Sequence, residues 1–157
     1  MKFFDLRLFK ERDIEFAYEM TKIEGWNYEK EDTQRMFSYN PSGCFIAEVN
    51  GKQVGHVFSV NYGNLGWIGL LIVRAEYRRK GVGTALMKEA INNLLTSGVE
   101  TIRLEAISAI ATIYRKLGFV DEYDSLRFSG ITRKIASTSS SNVRLAKKRN
   151  NKANCQV

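Results

Sequence analysis

A stretch of basic residues and glycines has the composition of an anion-binding turn: Arg78-Arg79-Lys80-Gly81-Val82-Gly83-Thr84. Amide groups in the first turn of a helix lack intrahelical acceptors and carry partial positive charge, so they stabilise a phosphate group placed there. Glycine at positions 81 and 83 lets a ligand approach the backbone closely. The stretch therefore predicts a diphosphate site if a strand precedes it and a helix follows it. The alternative is a solvated basic loop.

The segments on either side of this stretch have the required periodicities. Residues 67–73 are apolar and end in β-branched side chains, which is typical of a buried strand. Over residues 82–95, apolar side chains recur at roughly one-turn spacing with polar residues between them, which predicts an amphipathic helix. The basic stretch is thus placed at a strand-to-helix turn.

The rest of the chain predicts strands that alternate with helices, an α/β or α+β layer fold. An Asn50-Gly51 pair predicts a tight hairpin turn between two of the strands. Further strands are predicted over residues 3–9, 44–49, 54–62 and 101–106, with one or two more between 119 and 130, and further helices over 13–21, 31–38 and 109–117.

Three motifs occur in a fixed order: Leu70-Leu71-Ile72-Val73, Arg78-x-x-Gly81-x-Gly83 and Tyr114-Arg115-Lys116-Leu117-Gly118-Phe119. In order and spacing they resemble the GNAT superfamily of acetyl-CoA-dependent N-acetyltransferases. The segment Ile23-Glu24-Gly25-Trp26-Asn27 is similar to a microbial branch of that superfamily, many members of which carry a second GNAT-like domain. The resemblance implies the GNAT fold, a central mixed, mostly antiparallel sheet of six to seven strands flanked by about four helices.

The charge of the chain is concentrated near its C-terminal end. The net charge is +7, but residues 131–157 hold seven basic and no acidic side chains, which leaves 17 of each sign in residues 1–130. A neutral domain without an aromatic and basic patch argues against a nucleic-acid partner. We predict a GNAT domain over 1–130 and a basic tail over 131–157 that contains a serine-rich linker at 137–141. Because residues 142–150 resemble residues 5–13, the tail either begins a truncated second GNAT-like unit or matches the opening strand by chance.

The resemblance also implies where acetyl-CoA binds. In GNAT proteins the pantetheine arm runs beside the fourth strand, where this strand splays away from the fifth. Backbone groups of Leu71, Ile72 and Val73 are therefore implied to bind pantetheine, although plain core packing explains their side chains equally well. Arg78 begins the motif that receives the diphosphate, and no metal is implied. The receiving residues are Arg79, Lys80, Gly81, Val82, Gly83 and Thr84.

Acetyl transfer to an amine needs a neutral nitrogen, a polarised carbonyl and a proton for the leaving thiolate. A lysine amine with a pKa of about 10.4 is neutral about once in 2,500 at pH 7, whereas deprotonating an α-amino group near 7.8 costs only about 1 kcal/mol. By family position, the amide of Leu71 is implied to polarise the carbonyl and Tyr114 to protonate the thiolate. The alternative for Tyr114 is a core tyrosine with its hydroxyl at the surface.

The general base and the acceptor pocket have several candidates. Residues 67–70 lack the glutamate that many family members carry on this strand, which leaves Glu24, His56 and a bound water. We predict that Glu24 acts in catalysis and lines the acceptor pocket with Trp26; alternatively, Glu24 ends the first helix and Trp26 is a packed core indole. His56, the only histidine, is more consistent with a satisfied structural histidine in a strand. Ile107 stands where many family members carry an asparagine.

The sequence predicts a cytoplasmic protein. No apolar run reaches the roughly 18 residues that cross a bilayer. Charged residues interrupt the start of the chain, so no secretory signal peptide is predicted. The two cysteines, Cys44 and Cys155, are predicted to form no disulfide, and Cys44 is interpreted as a small core residue.

These observations predict an N-acetyltransferase that transfers the acetyl group of acetyl-CoA to a primary amine by direct attack in a ternary complex. The acceptor is a small molecule or an exposed protein amine, and no membrane partner is expected. The missing strand carboxylate leaves a rival hypothesis, a non-catalytic GNAT-like module that binds or senses acyl-CoA. Assembly as a homodimer is left open by the sequence.

Overall fold

The computed structural model describes residues 3–126, 128, 130 and 131. The chain divides after Tyr123 into two units, and all regular elements of the described residues lie in the first. No helix in this part of the chain is long and apolar enough to cross a membrane. The strands are β1 (Asp5–Leu8), β2 (Phe45–Val49), β3 (Lys52–Asn61), β4 (Leu65–Val73) and β5 (Thr101–Leu104). The helices are α1 (Ile14–Ile23), α2 (Lys30–Tyr39), α3 (Val82–Thr96) and α4 (Ala111–Arg115).

The strands form one mixed sheet in the order β1-β2-β3-β4-β5. Neighbours from β1 to β4 are antiparallel, whereas β5 runs parallel to β4 because α3 carries the chain back across the sheet. The β2–β3 hairpin turns at Asn50 and Gly51, whose φ values of 50° and 76° are the left-handed conformations that this turn requires. The predicted mixed, mostly antiparallel sheet is confirmed.

The described residues form five strands, fewer than the six to seven predicted. The additional strands were expected between residues 119 and 130, but residues 119–126 form no regular element. Val120 and Tyr123 in this segment are exposed, so their apolar surface does not contribute to a sheet face. The predicted domain boundary at residue 130 stays a prediction, and the predicted tail lies, apart from residue 131, outside the described residues.

Helices cover both faces of the sheet. The cluster on the α3 face includes Val57, Leu86 and Leu94, and the cluster on the α1 and α2 face includes Met20 and Phe58. Each such side chain, when fully buried, contributes roughly 1.5–3 kcal/mol to folding. Burial on both faces explains why the sequence of β4 is a nearly continuous apolar run rather than an alternating one.

A β-bulge interrupts β4 in the middle of the strand. Leu70 and Leu71 together stand opposite Val57 of β3. Leu70 has a φ of 47°, a left-handed value that costs a bulky residue about 1–2 kcal/mol. The extra residue reverses the alternation of the strand, so that Ile68 before it and Val73 after it pack on the same α3 face. Bulges of this kind re-aim the backbone and are frequent beside active sites.

Candidate active site

The first turn of α3 is open to a ligand. Gly81 is the N-cap residue, with a φ of 84°, and no side chain caps the helix. The preceding Arg79 is also left-handed, with a φ of 59°. The first amide that finds an acceptor within the helix is that of Ala85, which donates to the Gly81 carbonyl at 3.0 Å. The amides of positions 82–84 are therefore directed at whatever lies in front of the helix.

The two glycines of this turn have different explanations. Gly81 needs its positive φ, which L-residues rarely adopt. A Cβ atom added at Gly83 would lie 3.6 Å from Cγ2 of Val73, an ordinary van der Waals contact. The fold by itself thus accepts alanine at position 83, although glycine costs a helix roughly 0.5–1 kcal/mol relative to alanine. A glycine that the fold does not need is consistent with a ligand that approaches the backbone there.

The edge of β4 next to this turn is open. In the described part of the chain, β5 pairs with β4 only from Leu65 to Ile68. Beyond Ile68, successive residues of β4 direct their backbone N–H and C=O groups alternately towards β3 and towards the other edge. The amide of Arg74 points towards β3, where it donates to the carbonyl of Val54 at 2.8 Å. By this alternation Leu71 and Val73 direct their backbone groups to the open edge. The pairing of β4 with β5 therefore ends before the residues at which the resemblance predicts a splay.

The same alternation separates Ile72 from the other two predicted pantetheine ligands. Ile72 pairs with His56, and its backbone groups point towards β3 rather than towards the open edge. Its side chain packs on the α1 face. A cofactor contact from Ile72 is thus not supported by the geometry, whereas the positions of Leu71 and Val73 are compatible with the predicted role.

Glu24 ends α1, as one of the two interpretations had it. Gly25 follows with a φ of 69°, and the amides of Gly25 and Trp26 donate to the carbonyls of Lys22 and Thr21 at 3.0 and 2.9 Å. This pair of bonds is a Schellman motif, which closes a helix with glycine in the left-handed conformation. The glycine of the Glu-Gly-Trp-Asn segment is therefore explained by the local fold.

Glu24 also contacts the cofactor motif. Its carboxylate accepts a hydrogen bond from a terminal nitrogen of Arg78. Nε of the same guanidinium donates to the carbonyl of Val73 at 2.8 Å. The structure thus brings together a predicted acceptor-site residue, the first residue of the diphosphate motif and the end of β4. Sequence reasoning missed this contact, because the two side chains are 54 positions apart in the chain.

Trp26 lies at the surface, so the alternative of a packed core indole is wrong. Its side chain is 37% exposed, and its ring lies 6.3 Å from that of Tyr28, measured between centroids. An exposed aromatic pair just after α1 is compatible with a pocket wall. The role of Trp26 towards the acceptor stays a prediction.

Tyr114 is buried in α4, and burial raises the pKa of its phenol. It belongs to the apolar cluster on the α3 face, against which Leu71 packs, and its ring lies edge-on to Phe119. A proton donor must be protonated before the reaction, and a raised pKa keeps the phenol protonated at neutral pH.

His56 is unsuited to act as the base. It is fully buried between Phe16 and Phe58, whose rings lie edge-on to it, and burial lowers its pKa to about 3. A backbone group of Leu70 opposes part of this shift, but neither ring nitrogen makes a hydrogen bond of normal geometry. The expectation of a structural histidine is confirmed, and the expectation that its hydrogen bonds are satisfied is wrong.

The basic side chain of Lys80 is not simply solvated. Its Nζ lies 5.4 Å from the ring centroids of both Phe3 and Tyr77, a cation–π arrangement that holds the ammonium beside the turn. Phe3 was not identified from the sequence, since nothing in its neighbourhood marks it as a partner of a residue so distant in the chain. Tyr77 stands directly before Arg78, Arg79 and Lys80 in the sequence, and this aromatic neighbour was the one indication of a cation–π contact.

The remaining candidates have structural explanations. Cys44 is buried, and burial raises its thiol pKa to about 12, which agrees with its interpretation as a core residue. Cys155 lies outside the described residues. Within the described ranges, no group of three or more His, Cys, Asp and Glu side chains is arranged to hold a metal ion.

Two relatives of known name match a large part of the chain. An acetyltransferase of Pectobacterium atrosepticum is 28% identical over 122 residues, which are 73% of this chain and 86% of that protein. N-alpha-acetyltransferase 30 of Xenopus laevis is 32% identical over 105 residues, which are 61% of this chain and 38% of that protein.

Solved structures show the same fold. Ard1 from Thermoplasma volcanium has a TM-score of 0.69 and 26% identity, over 77% of this chain and 85% of that one. A predicted acetyltransferase from Clostridium acetobutylicum, solved with acetyl-CoA, has a TM-score of 0.66 and 18% identity, over 80% and 96% of the two chains. A model of the acetyltransferase (GNAT) family matches residues 9–119, from the end of β1 to the Gly-Phe pair after α4. The chain therefore belongs to the GNAT acetyltransferase family.

Proposed function

We propose that the protein transfers the acetyl group of acetyl-CoA to a primary amine by direct attack in a ternary complex. The observation that carries this proposal is the uncapped first turn of α3 beside the open edge of β4. Free amides and a helix dipole fit a diphosphate. The backbone groups of Leu71 and the amide of Val73, whose carbonyl accepts a hydrogen bond from Arg78, fit the polar groups of pantetheine. The family relationship and the solved acetyl-CoA complex of a structural neighbour support the same cofactor.

In the proposed reaction, the amine nitrogen forms a bond to the acetyl carbon while the carbon–sulfur bond of the thioester breaks. The amide of Leu71 donates to the carbonyl oxygen, on which negative charge develops. Tyr114 gives its proton to the leaving thiolate of CoA. The proton of the amine leaves through Glu24 or a bound water, because His56 is buried and neutral.

The acceptor that fits best is an α-amino group. Deprotonating a lysine amine at pH 7 costs about 4.6 kcal/mol, against about 1 kcal/mol for an α-amine with a pKa near 7.8. The structure offers no histidine base, and the carboxylate of Glu24 is held by Arg78. An acceptor amine with a low pKa needs the least help from such a site to lose its proton. The similarity to an N-alpha-acetyltransferase of Xenopus laevis agrees with this choice.

A panel of acceptors tests this proposal. Purified protein with acetyl-CoA should release CoA thiol faster with peptides that have a free α-amine than with the same peptides blocked at the α-amine and carrying lysine. Equal rates for the two peptide sets would contradict the choice of acceptor. No thiol release with any amine, despite thermal stabilisation by acetyl-CoA, would favour the rival function of an acyl-CoA sensor, which the engagement of Glu24 by Arg78 makes chemically reasonable.

A further inference from the structure

We propose that Arg78 is a positioning residue that couples acetyl-CoA binding to the loop between α1 and α2. It does so by bridging the carbonyl of Val73 and the carboxylate of Glu24. The inference rests on the proposed function, since it requires acetyl-CoA to bind at the start of α3. It adds a role for the side chain of Arg78, beyond the position of that residue at the start of the motif.

One rigid group makes both contacts. The guanidinium of Arg78 donates from Nε to Val73 at 2.8 Å and from a terminal nitrogen to Glu24. A guanidinium is planar, so fixing the direction of one N–H fixes the others. A lysine ammonium at the same position is a point charge on a flexible stem and cannot fix both directions. The bridge therefore depends on arginine and not only on positive charge.

Both ends of the bridge are anchored in the backbone. Glu24 sits at the closing turn of α1, and the amide of Arg78 donates to the carbonyl of Ala75 at 3.2 Å in a 3₁₀ turn. Arg79 follows with a left-handed φ, so the chain leaves this turn in a defined direction towards α3. When a ligand fixes the residues at the start of α3, it also fixes the backbone that carries the guanidinium. The carboxylate of Glu24 and the loop behind it are then held as well.

The exposure of the pair indicates a geometric rather than a stabilising role. The side chains of Arg78 and Glu24 are 47% and 28% exposed. Ion pairs with this exposure contribute little to folding. Variants of either residue are therefore expected to fold, which makes the coupling measurable on the intact protein.

Amide hydrogen exchange with and without saturating acetyl-CoA tests the coupling without knowledge of the acceptor. In the wild type, acetyl-CoA should slow exchange at residues 82–84 and also, roughly fivefold or more, at residues 24–29. Arg78→Lys and Glu24→Gln should each lose the effect at 24–29 and keep it at 82–84. The matched control is Glu19→Gln, which breaks the exposed pair with Lys22 on the same helix and should respond as the wild type does.

The outcomes separate the coupling from the proposed function. Protection of residues 24–29 in Arg78→Lys equal to that in the wild type would overturn the coupling, and so would protection of 82–84 alone in the wild type. No protection at either segment would overturn the proposed function and the coupling with it. If Arg78→Lys does not fold, Glu24→Gln decides, because that change leaves the bond from Arg78 to Val73 in place.

Discussion

Tyr114 performs the proton transfer in the proposed reaction, and its hydroxyl is the only group that Tyr114→Phe removes. We expect this change to lower turnover by roughly 10²-fold or more, as for the loss of a general acid. Binding of acetyl-CoA should be unchanged, since the ring stays in the apolar cluster. Steady-state thiol release and the thermal shift with acetyl-CoA measure the two effects. Tyr39→Phe, at an exposed tyrosine of α2, is the control, and full activity of Tyr114→Phe would remove Tyr114 from the acid role.

Gly83 distinguishes the needs of the ligand from the needs of the fold. Gly83→Ala should leave the free energy of unfolding unchanged or raise it by roughly 0.5–1 kcal/mol, because the added methyl group meets only ordinary contacts in a helix. The same methyl group projects where the diphosphate must approach, so the affinity for acetyl-CoA should fall. Chemical denaturation and calorimetric titration measure the two quantities. The control Lys88→Ala, at an exposed position of α3, should change neither the free energy of unfolding nor the affinity by much. Wild-type affinity for acetyl-CoA in Gly83→Ala would argue against a diphosphate at this turn.

His56 makes the stability of the protein sensitive to acid. In the folded protein its pKa is about 3, against an unfolded value near 6.5, so the unfolded chain binds a proton that the folded one excludes. The contribution of neutral His56 to the free energy of unfolding is fully present above pH 6.5. It is lost as the pH falls towards 3, with a slope of about 1.4 kcal/mol per pH unit. Urea denaturation across this range measures the slope.

The control for this pH dependence is His56→Leu, which replaces the imidazole with an apolar side chain of similar volume that does not titrate. It also removes two buried nitrogens without hydrogen-bond partners, so the variant should be at least as stable as the wild type at pH 7. Between pH 6.5 and 4 its stability should fall less steeply than that of the wild type. Parallel curves for the two proteins would mean that His56 is not held neutral by the fold.

At the scale of elements, a buried carboxylate connects the start of α1 to the sheet. Asp13 is fully buried, accepts hydrogen bonds from Arg7 at 2.6 and 2.8 Å, and caps the turn by accepting from the amide of Lys10. Asp13→Ala should lower the free energy of unfolding by about 1.5–3 kcal/mol, because charged hydrogen bonds are lost and their donors stay partly buried. Glu15→Gln, which breaks an exposed pair with Lys30, should change it by less than about 1 kcal/mol. Similar losses in the two variants would contradict the role given to Asp13.

Periodicity and turn chemistry predicted every element from β1 to α4, with boundaries within a few residues. The bulge at Leu70 could not be predicted, because β4 is buried on both faces and its sequence shows no alternation whose reversal would reveal an extra residue. For the same reason the sequence could not distinguish Ile72, which points towards β3, from its neighbours on the open edge. The strands expected in residues 119–130 rested on apolar residues alone, and some of these are exposed.

The turn before α3 was predicted from a short local motif, whereas contacts between distant parts of the chain were missed. The glycine turn before α3 has local causes, namely its φ angles and its uncapped amides. The bridge from Arg78 to Glu24 and the contact of Lys80 with Phe3 depend on the packing of separate elements. No local sequence pattern encodes such contacts, so they become visible only in the three-dimensional structure.

At the scale of the molecule, the sheet brings the end of α1, the open edge of β4 and the start of α3 to one place. The same fold buries the only histidine against Phe16 and Phe58, on the α1 and α2 face of the sheet and away from solvent. The proposed reaction therefore uses backbone amides and a phenol rather than a histidine base. Without a histidine base, the site favours an acceptor amine with a low pKa over a lysine side chain.

In the proposed function, acetyl-CoA binds across the open edge of β4 and the uncapped turn of α3. Titration of ¹⁵N-labelled protein with acetyl-CoA, followed by amide NMR, tests it at the resolution of single residues. We expect large shifts at Leu71, at Val73 and at residues 79–84, and a much smaller shift at Ile72. Absence of shifts at 79–84, or shifts that cluster on the α1 and α2 face of the sheet, would contradict this placement of acetyl-CoA.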